Sequence, residues 1–245
     1  MSSVTLYPMT TPPCNPPGAS APSPYEALLD WRPILADGRL PLLIIRHGQT
    51  QWNVERRFLG RTDIPLDAEG HEQARRLGRY LAPLPIRRLV SSPLSRARAT
   101  AEALRIGRPE LPIELEPGLT ELHQGELEGR QDVELPTAFP EFFAAWRTDP
   151  ARAVVPGGEA MVDCQARGLS ALLQLCAETP RDGILAVVTH QMVLAGVLSM
   201  VLARPLQSWR ELSQKNTAVN LLSWGPDGLR AHRTHEASHL LDPCL

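Results

Sequence analysis

The chain has 245 residues, 43% of them hydrophobic and 21% charged, with a net charge of −2 at neutral pH and a pI near 6.4. That length suits one large α/β domain or two small ones, and the composition is ordinary for a soluble globular protein. The near-neutral balance gives no basis for bulk attraction to nucleic acid or an anionic membrane, so selectivity for an anion has to be local.

Arginine carries almost all the positive charge, Lys215 being the only lysine. Planar guanidinium suits a bidentate grip on phosphate or carboxylate. Cys14, Cys164, Cys176 and Cys244 are scattered without CxxC spacing, which reads as reduced thiols rather than a disulfide framework or a zinc site. The first residues lack the charged start and apolar core of a signal peptide, so a cytoplasmic location is expected.

Residues 1 to about 24 hold Pro8, Pro12, Pro13, Pro16, Pro17, Pro22 and Pro24 among small polar residues, too little apolar surface to offset ordering entropy. Tyr25, Leu28, Leu29, Trp31, Ile34 and Leu35 then read as a short helix or strap. The division is a Pro-rich extension over 1–38 and a single domain over 39–245. Strands are expected at Leu42–Arg46, Arg88–Ser91, Ile113–Leu115, Leu185–Thr189, Ala218–Ser223 and Leu229–Arg233. Helical spacing follows Asp67 through Ala74, Leu77 and Leu81, and a second helix follows a Ser95 cap. Further helices are expected over about 136–146, 160–177 and after His190.

Ile184 to Ala203 lacks Asp, Glu, Lys and Arg and is long enough to span a bilayer. Thr189, His190 and Gln191 interrupt it, and β-branched residues crowd its first part, so it reads as a buried strand, a turn and a buried helix. Alternating βα units predict a three-layer α/β/α sandwich on a mainly parallel sheet. The last two strands, joined by Gly225-Pro226-Asp227-Gly228, predict an antiparallel edge.

Two apolar runs end in histidine: Pro41 to Ile45 leads into Arg46-His47-Gly48-Gln49-Thr50, and Ile184 to Val188 leads into Thr189-His190. Ligands bind at the carboxyl ends of parallel strands, so the two imidazoles can meet there. Arg46 adds a fixed charge, and Gly48 allows the backbone to approach an anion. Either histidine alone would read as a packed or capping residue. Together they read as a phosphate pocket with a histidine nucleophile.

Asn53 follows the first motif, then Leu59-Gly60-Arg61-Thr62-Asp63-Ile64-Pro65-Leu66 and Ser91-Ser92-Pro93-Leu94-Ser95-Arg96-Ala97-Arg98-Ala99-Thr100-Ala101. Glu121 stands four residues before Gly125 and eight before Gly129. In this order the blocks, spanning about Leu42 to Ser223, resemble the histidine phosphatase superfamily, which is phosphoglycerate mutase-like, and most of all its α-ribazole phosphatase-like branch. The resemblance implies that His47 is the nucleophile and that Arg46, Arg96 and His190 complete the phosphate pocket. It implies that Asn53 donates to phosphate, and that Gln49, Thr50, Leu59 and Gly60 line the substrate. It makes Glu121 the general acid, then the base toward water. No metal or cofactor is required, because arginine and histidine supply the charge. Leu127 stands where these enzymes often carry tryptophan, and Gln49 where the phosphatases often carry glutamate.

Arg98 reads as surface. Arg56, Arg57 and Arg61 are either a grip on a second anionic group or an exposed basic loop. Glu159 reads as a cap or pocket wall, and His71 and His123 as incidental. His232, His235 and His239 lack carboxylate or cysteine at metal-ligand spacing. The stretch from Glu121 to Gly157 is short and opens with Glu126, Glu128, Asp132 and Glu134, poor material for gripping a second phosphate. The expected activity is therefore hydrolysis of a small phosphorylated metabolite. A phosphoglycerate-type mutase and a phosphate-recognising regulatory module, with the Pro-rich segment as partner-binding element, are the alternatives. Oligomeric state, a homodimer included, stays open.

Overall fold

A computed structural model describes residues 28–242, so Tyr25 and the Pro-rich stretch lie outside the described residues. In chain order the elements are α1 (Arg32–Ala36), β1 (Leu40–Arg46), α2 (Gln51–Val54), α3 (Ala68–Leu81), β2 (Ile86–Ser91), α4 (Ser95–Ala103) and β3 (Ile113–Leu115). There follow α5 (Leu135–Ala138), α6 (Pro140–Thr148), α7 (Met161–Glu178), β4 (Ile184–Thr189), α8 (Gln191–Val201), β5 (Val219–Gly225) and β6 (Gly228–Glu236).

The strands form one six-stranded sheet in the order β3-β2-β4-β1-β5-β6. β1, β4, β2 and β3 pair in parallel, while β5 pairs antiparallel with both β1 and β6. The reversed strand is thus β5, one place inside the edge, and the edge strand β6 points the same way as β1. Gly228 closes the β5–β6 turn at a φ of +92°, which a side chain would strain.

Period-two alternation sorts the central strands between two cores. Leu43 and Ile45 of β1, with Ile184, Ala186 and Val188 of β4, pack with Leu77, Leu81, Ala97 and Ala101 of α3 and α4. Leu42 and Ile44, with Leu185 and Val187, pack on the other face with Leu172, Leu194 and Leu198 of α7 and α8. Helices on both faces make the three layers. Leu29 and Ile34 are buried in the α3–α4 core, so the end of the expected extension packs on the domain.

The apolar run from Ile184 divides into β4 and α8, as its polar interruption predicts. Among the described residues no single helix is long and apolar enough to cross a membrane.

Two local expectations are corrected. Ser95 is the first residue of α4 rather than its cap; Leu94 is the N-cap and gives no side-chain bond, while the Ser95 N–H donates to Asp63 Oδ1 at 2.7 Å. A remote carboxylate does the capping. The helix expected over about 136–146 is broken in two at Phe139, because Pro140 has no N–H and restricts the residue before it.

Candidate active site

The sheet register assembles the site. Arg46 pairs with Thr189, and the His47 N–H donates to the Thr189 carbonyl at 3.0 Å. His47 and His190 therefore leave adjacent strands side by side, their ring centroids 5.1 Å apart. β2 flanks β4 on the other side and delivers Ser92, whose Oγ lies 2.7 Å from His190 Nε2. Both imidazoles are almost wholly buried.

The His47 tautomer follows from its partner. Nδ1 is 2.6 Å from the Gly48 carbonyl, which can only accept, so Nδ1 carries the proton. Nε2 keeps its lone pair. Burial, then the charges of Arg96 and Arg46, hold the His47 pKa well below the usual imidazole value, so the ring stays neutral. His190 is depressed for the same reasons, with burial first.

The guanidinium groups are held by carbonyls rather than carboxylates. Arg96, fully buried on the first turn of α4, donates to the carbonyls of Gly60 at 2.6 Å and Thr62 at 3.0 Å. Arg46 donates to the Gln214 carbonyl. Burial pushes the Arg46 pKa down to about 10 and lowers that of Arg96, yet both are charged at neutral pH. Arg46 Nε, Arg96 Nε and His190 Nδ1 are buried without a protein partner. Buried polar groups are normally satisfied, so two unpaired guanidinium N–H donors and an unpaired imidazole nitrogen make a cationic cage suited to an anion.

Glu121 lies in the loop between the 3₁₀ turns Pro117–Leu119 and Gly125–Leu127 and is 5% exposed. Its carboxylate accepts from the backbone N–H of Leu122 at 2.8 Å and of Met192 at 3.1 Å, the latter at the amino end of α8. Burial raises its pKa; those two N–H groups and the charges of Arg96 and Arg46 oppose the rise without cancelling it. The outcome is a carboxyl able to hold a proton beside a cationic cage.

The remaining expected site residues divide. Asn53 Oδ1 accepts from Thr50 N–H at 3.1 Å and from Asn216 Nδ2 at 3.3 Å, which fixes the amide and leaves Nδ2 as its free donor. Gln49 and Thr50 are hydrogen-bonded into the framework. Gln49 Nε2 donates to Asp67 Oδ2 at 3.1 Å, and Thr50, fully buried, caps α2. Gly60 is buried and serves through its carbonyl, while Leu59 is half-buried. Gly48 does not offer its N–H to an anion, because that group donates to Thr100 Oγ1 at 2.9 Å. Its missing side chain makes room for the Gly70 carbonyl, which would stand 2.6 Å from a Cβ. Leu127 lies in the core.

Arg57 pairs with Glu55 and Arg61 with Glu159, leaving Arg56 exposed. Arg98 is exposed as expected. His232 Nε2 meets Ser223 Oγ at 2.8 Å and His239 Nε2 meets Thr217 Oγ1 at 2.9 Å. Among the described residues no three potential metal-ligating side chains converge.

Sequence reasoning missed Arg167, Asn216 and the role of Ser92. Arg167 on α7 donates to the carbonyls of Gly118, Thr120 and Glu121 and to the Glu159 carboxylate, bracing the loop that carries Glu121. Asn216 Nδ2 and the Thr217 N–H both donate to the His47 carbonyl, at 3.1 and 3.2 Å. A signal for them existed: β5 runs antiparallel to β1, so the polar residues just before β5 sit beside the end of β1.

Residues 42–237 match the histidine phosphatase superfamily (branch 1). The probable phosphoglycerate mutase GpmB of Salmonella choleraesuis (strain SC-B67) is 32% identical over 215 residues, covering 84% of this chain and 97% of that protein. Among solved structures, Bacillus stearothermophilus YhfR aligns with a TM-score of 0.76 at 30% identity, covering 82% of this chain and 99% of its own. The mycobacterial glucosyl-3-phosphoglycerate phosphatase bound to VO3 aligns at 0.70 with 31% identity, over 80% and 98% of the two chains. The α-ribazole phosphatase from Shigella flexneri aligns at 0.73 with 26% identity, over 81% and 97%. A neutral buried histidine within a cationic cage, with a match across nearly the whole sheet, places this chain in the histidine phosphatase superfamily.

Proposed function

We propose that this protein is a phosphatase that hydrolyses the monoester of a small phosphorylated metabolite through a phosphohistidine at His47, with no metal in the reaction. The observation that carries the reading is the His47 tautomer: Nδ1–H is committed to the Gly48 carbonyl, so Nε2 is the lone pair presented to phosphorus.

In the first step Nε2 forms a bond to phosphorus and the ester P–O bond breaks. Its electron pair stays on the departing oxygen, which takes the proton of Glu121. In the second step the Glu121 carboxylate removes a proton from water, the water oxygen bonds to phosphorus and the P–N bond breaks, restoring neutral His47. Arg46, Arg96, His190 and Asn53 stabilise the charge on the non-bridging oxygens of a loose transition state. The raised Glu121 pKa and lowered His47 pKa suit these roles, since each group is needed in the form that burial favours.

The names of the curated relatives favour a phosphoglycerate mutase as the second reading. Against it, Arg57 and Arg61 are neutralised by carboxylates, and Glu128 accepts from the backbone of Arg61 and Thr62 close to the cage. Such a surround repels a second anionic group.

The test is a rapid quench of wild-type and His47→Ala enzyme with labelled substrate. Wild type forms an acid-labile, base-stable phosphoprotein and releases phosphate with a chelator present. His47→Ala, with unchanged circular dichroism, does neither. Labelling that persists in His47→Ala overturns the assignment. Conversion of 3-phosphoglycerate to 2-phosphoglycerate faster than phosphate release establishes the mutase instead.

A further inference from the structure

Beside the backbone that holds Glu121 lies a hollow of about 80 Å³, with walls formed by Phe58, Phe142, Phe143, Trp146, Trp209 and Met192. It is small, and its lining is mostly aromatic. We propose that this hollow receives the leaving group, so that the substrate is the phosphate monoester of an alcohol bearing an aromatic ring rather than of one bearing a second phosphate or a carboxylate. The proposal deepens the phosphatase reading and rests on it.

Continuity with the acid supports the placement. Met192 forms one wall of the hollow, and its own N–H holds the Glu121 carboxylate. Gln124, three residues beyond Glu121, forms part of the rim. The proton donor must reach the departing oxygen, so the alcohol side of the substrate is brought to the same place as the hollow.

The wall is also prearranged. Phe142 and Phe143 meet edge to face at 5.1 Å, Phe142 and Trp146 lie 5.5 Å apart, and Trp146 and Trp209 meet edge to face at 6.1 Å. Rings held against rings lose little freedom when another joins them. Arg210 stands at the rim with its guanidinium over the Trp209 ring at 4.7 Å. Arg57 and Arg61 are paired with carboxylates. An apolar group gains from this lining, whereas a second anion would have to be desolvated against aromatic surface.

The experiment compares monoesters of ordinary alcohols, none with an activated leaving group: 2-phenylethyl phosphate, 3-phenylpropyl phosphate, glycerol 3-phosphate and 3-phosphoglycerate. The phenylalkyl esters are expected to exceed the other two in kcat/KM by about 10- to 100-fold, the worth of burying one ring. In Phe143→Ser that ratio narrows, and because it is a ratio within one protein, a lower folded fraction cannot mimic the result. Calorimetric binding of 3-phenylpropyl phosphate and glycerol 3-phosphate to His47→Ala gives a second readout free of turnover, with the same order expected. Equal or better use and binding of the polar esters overturns the apolar subsite. If no ester is hydrolysed and no phosphohistidine forms, the phosphatase reading fails, and the binding order alone decides the hollow.

Discussion

The cationic cage and the aromatic hollow meet at Met192 but are made in opposite ways. The cage hangs from the ends of β1, β2 and β4, where backbone pairing fixes His47 against Thr189 and Ser92 against Val188. Its groups are charged or polar, buried, and held largely by carbonyls. The hollow is made by α6, the 3₁₀ stretch Leu206–Leu212 and the loop at Phe58, with side-chain packing and no sheet register behind it. The proposed chemistry therefore rests on the sheet, and the proposed selectivity on a part that can be repacked at little cost to it.

Replacing the proton donor isolates the cage. Glu121→Gln is expected to lower turnover of alkyl phosphates by about 10²- to 10⁴-fold. With 4-nitrophenyl phosphate, whose leaving group needs no proton, phosphorylation of His47 survives and the phosphoenzyme accumulates; a rapid-quench time course measures it. In the wild type, kcat/KM for alkyl esters falls as pH rises through the Glu121 pKa, which lies above the ordinary carboxyl value. On the acid side it holds until pH drops through the depressed His47 pKa. A rate that rises through the alkaline limb would remove Glu121 from the acid role.

The bracing of Glu121 gives the next largest effect. Arg167→Ala removes donors from three carbonyls and leaves Glu159 without its shorter ion pair. Hydrogen bonds to charged groups are worth about 1.5–3 kcal/mol, so kcat is expected to fall by about 10- to 100-fold. KM stays close to wild type, because Arg167 makes no phosphate contact, and Arg167→Lys restores part of kcat. A change confined to KM would contradict the positioning role.

A separate effect is on stability and lies outside both regions. His239 is fully buried, and burial lowers its pKa to about 4 from 6.5. The unfolded chain binds a proton there that the folded chain refuses, so stability is lost as pH falls from 6.5 toward 4. The loss is on the order of 3 kcal/mol. His239→Phe, compared by urea midpoints at pH 7 and 4.5, is expected to flatten the decline without abolishing it, since His47 and His190 act in the same sense. An unchanged decline would show that His239 is already charged in the folded protein.

The sequence made the cage more legible than the hollow, for a physical reason. An apolar run followed by His47 or His190 carries its own position, because parallel strands present their carboxyl ends at one edge. Arg96 was legible only within its Ser-Pro-Leu-Ser-Arg block, since charge on a helix usually faces water. Arg167 lies 46 residues from Glu121 in sequence, on α7 whereas Glu121 is in a loop, so no local pattern links them. Gln49 and Thr50 could be placed near the site, but whether their side chains face substrate or scaffold depends on Asp67 and Asn53. The break at Pro140 was readable in isolation; that it turns three aromatic rings into a wall was not, because the wall also needs Trp209 from beyond α8.

Thr217 joins the two ends of the domain. It adopts a left-handed φ of +59°, gives its N–H to the His47 carbonyl and meets His239 through its hydroxyl. The tail after β6 is thus mechanically wired to His47, although 192 positions separate His47 from His239 in the chain. A truncation or fusion joint placed upstream of His239 would reach His47 from the opposite terminus, and affinity tags are better carried at the other end.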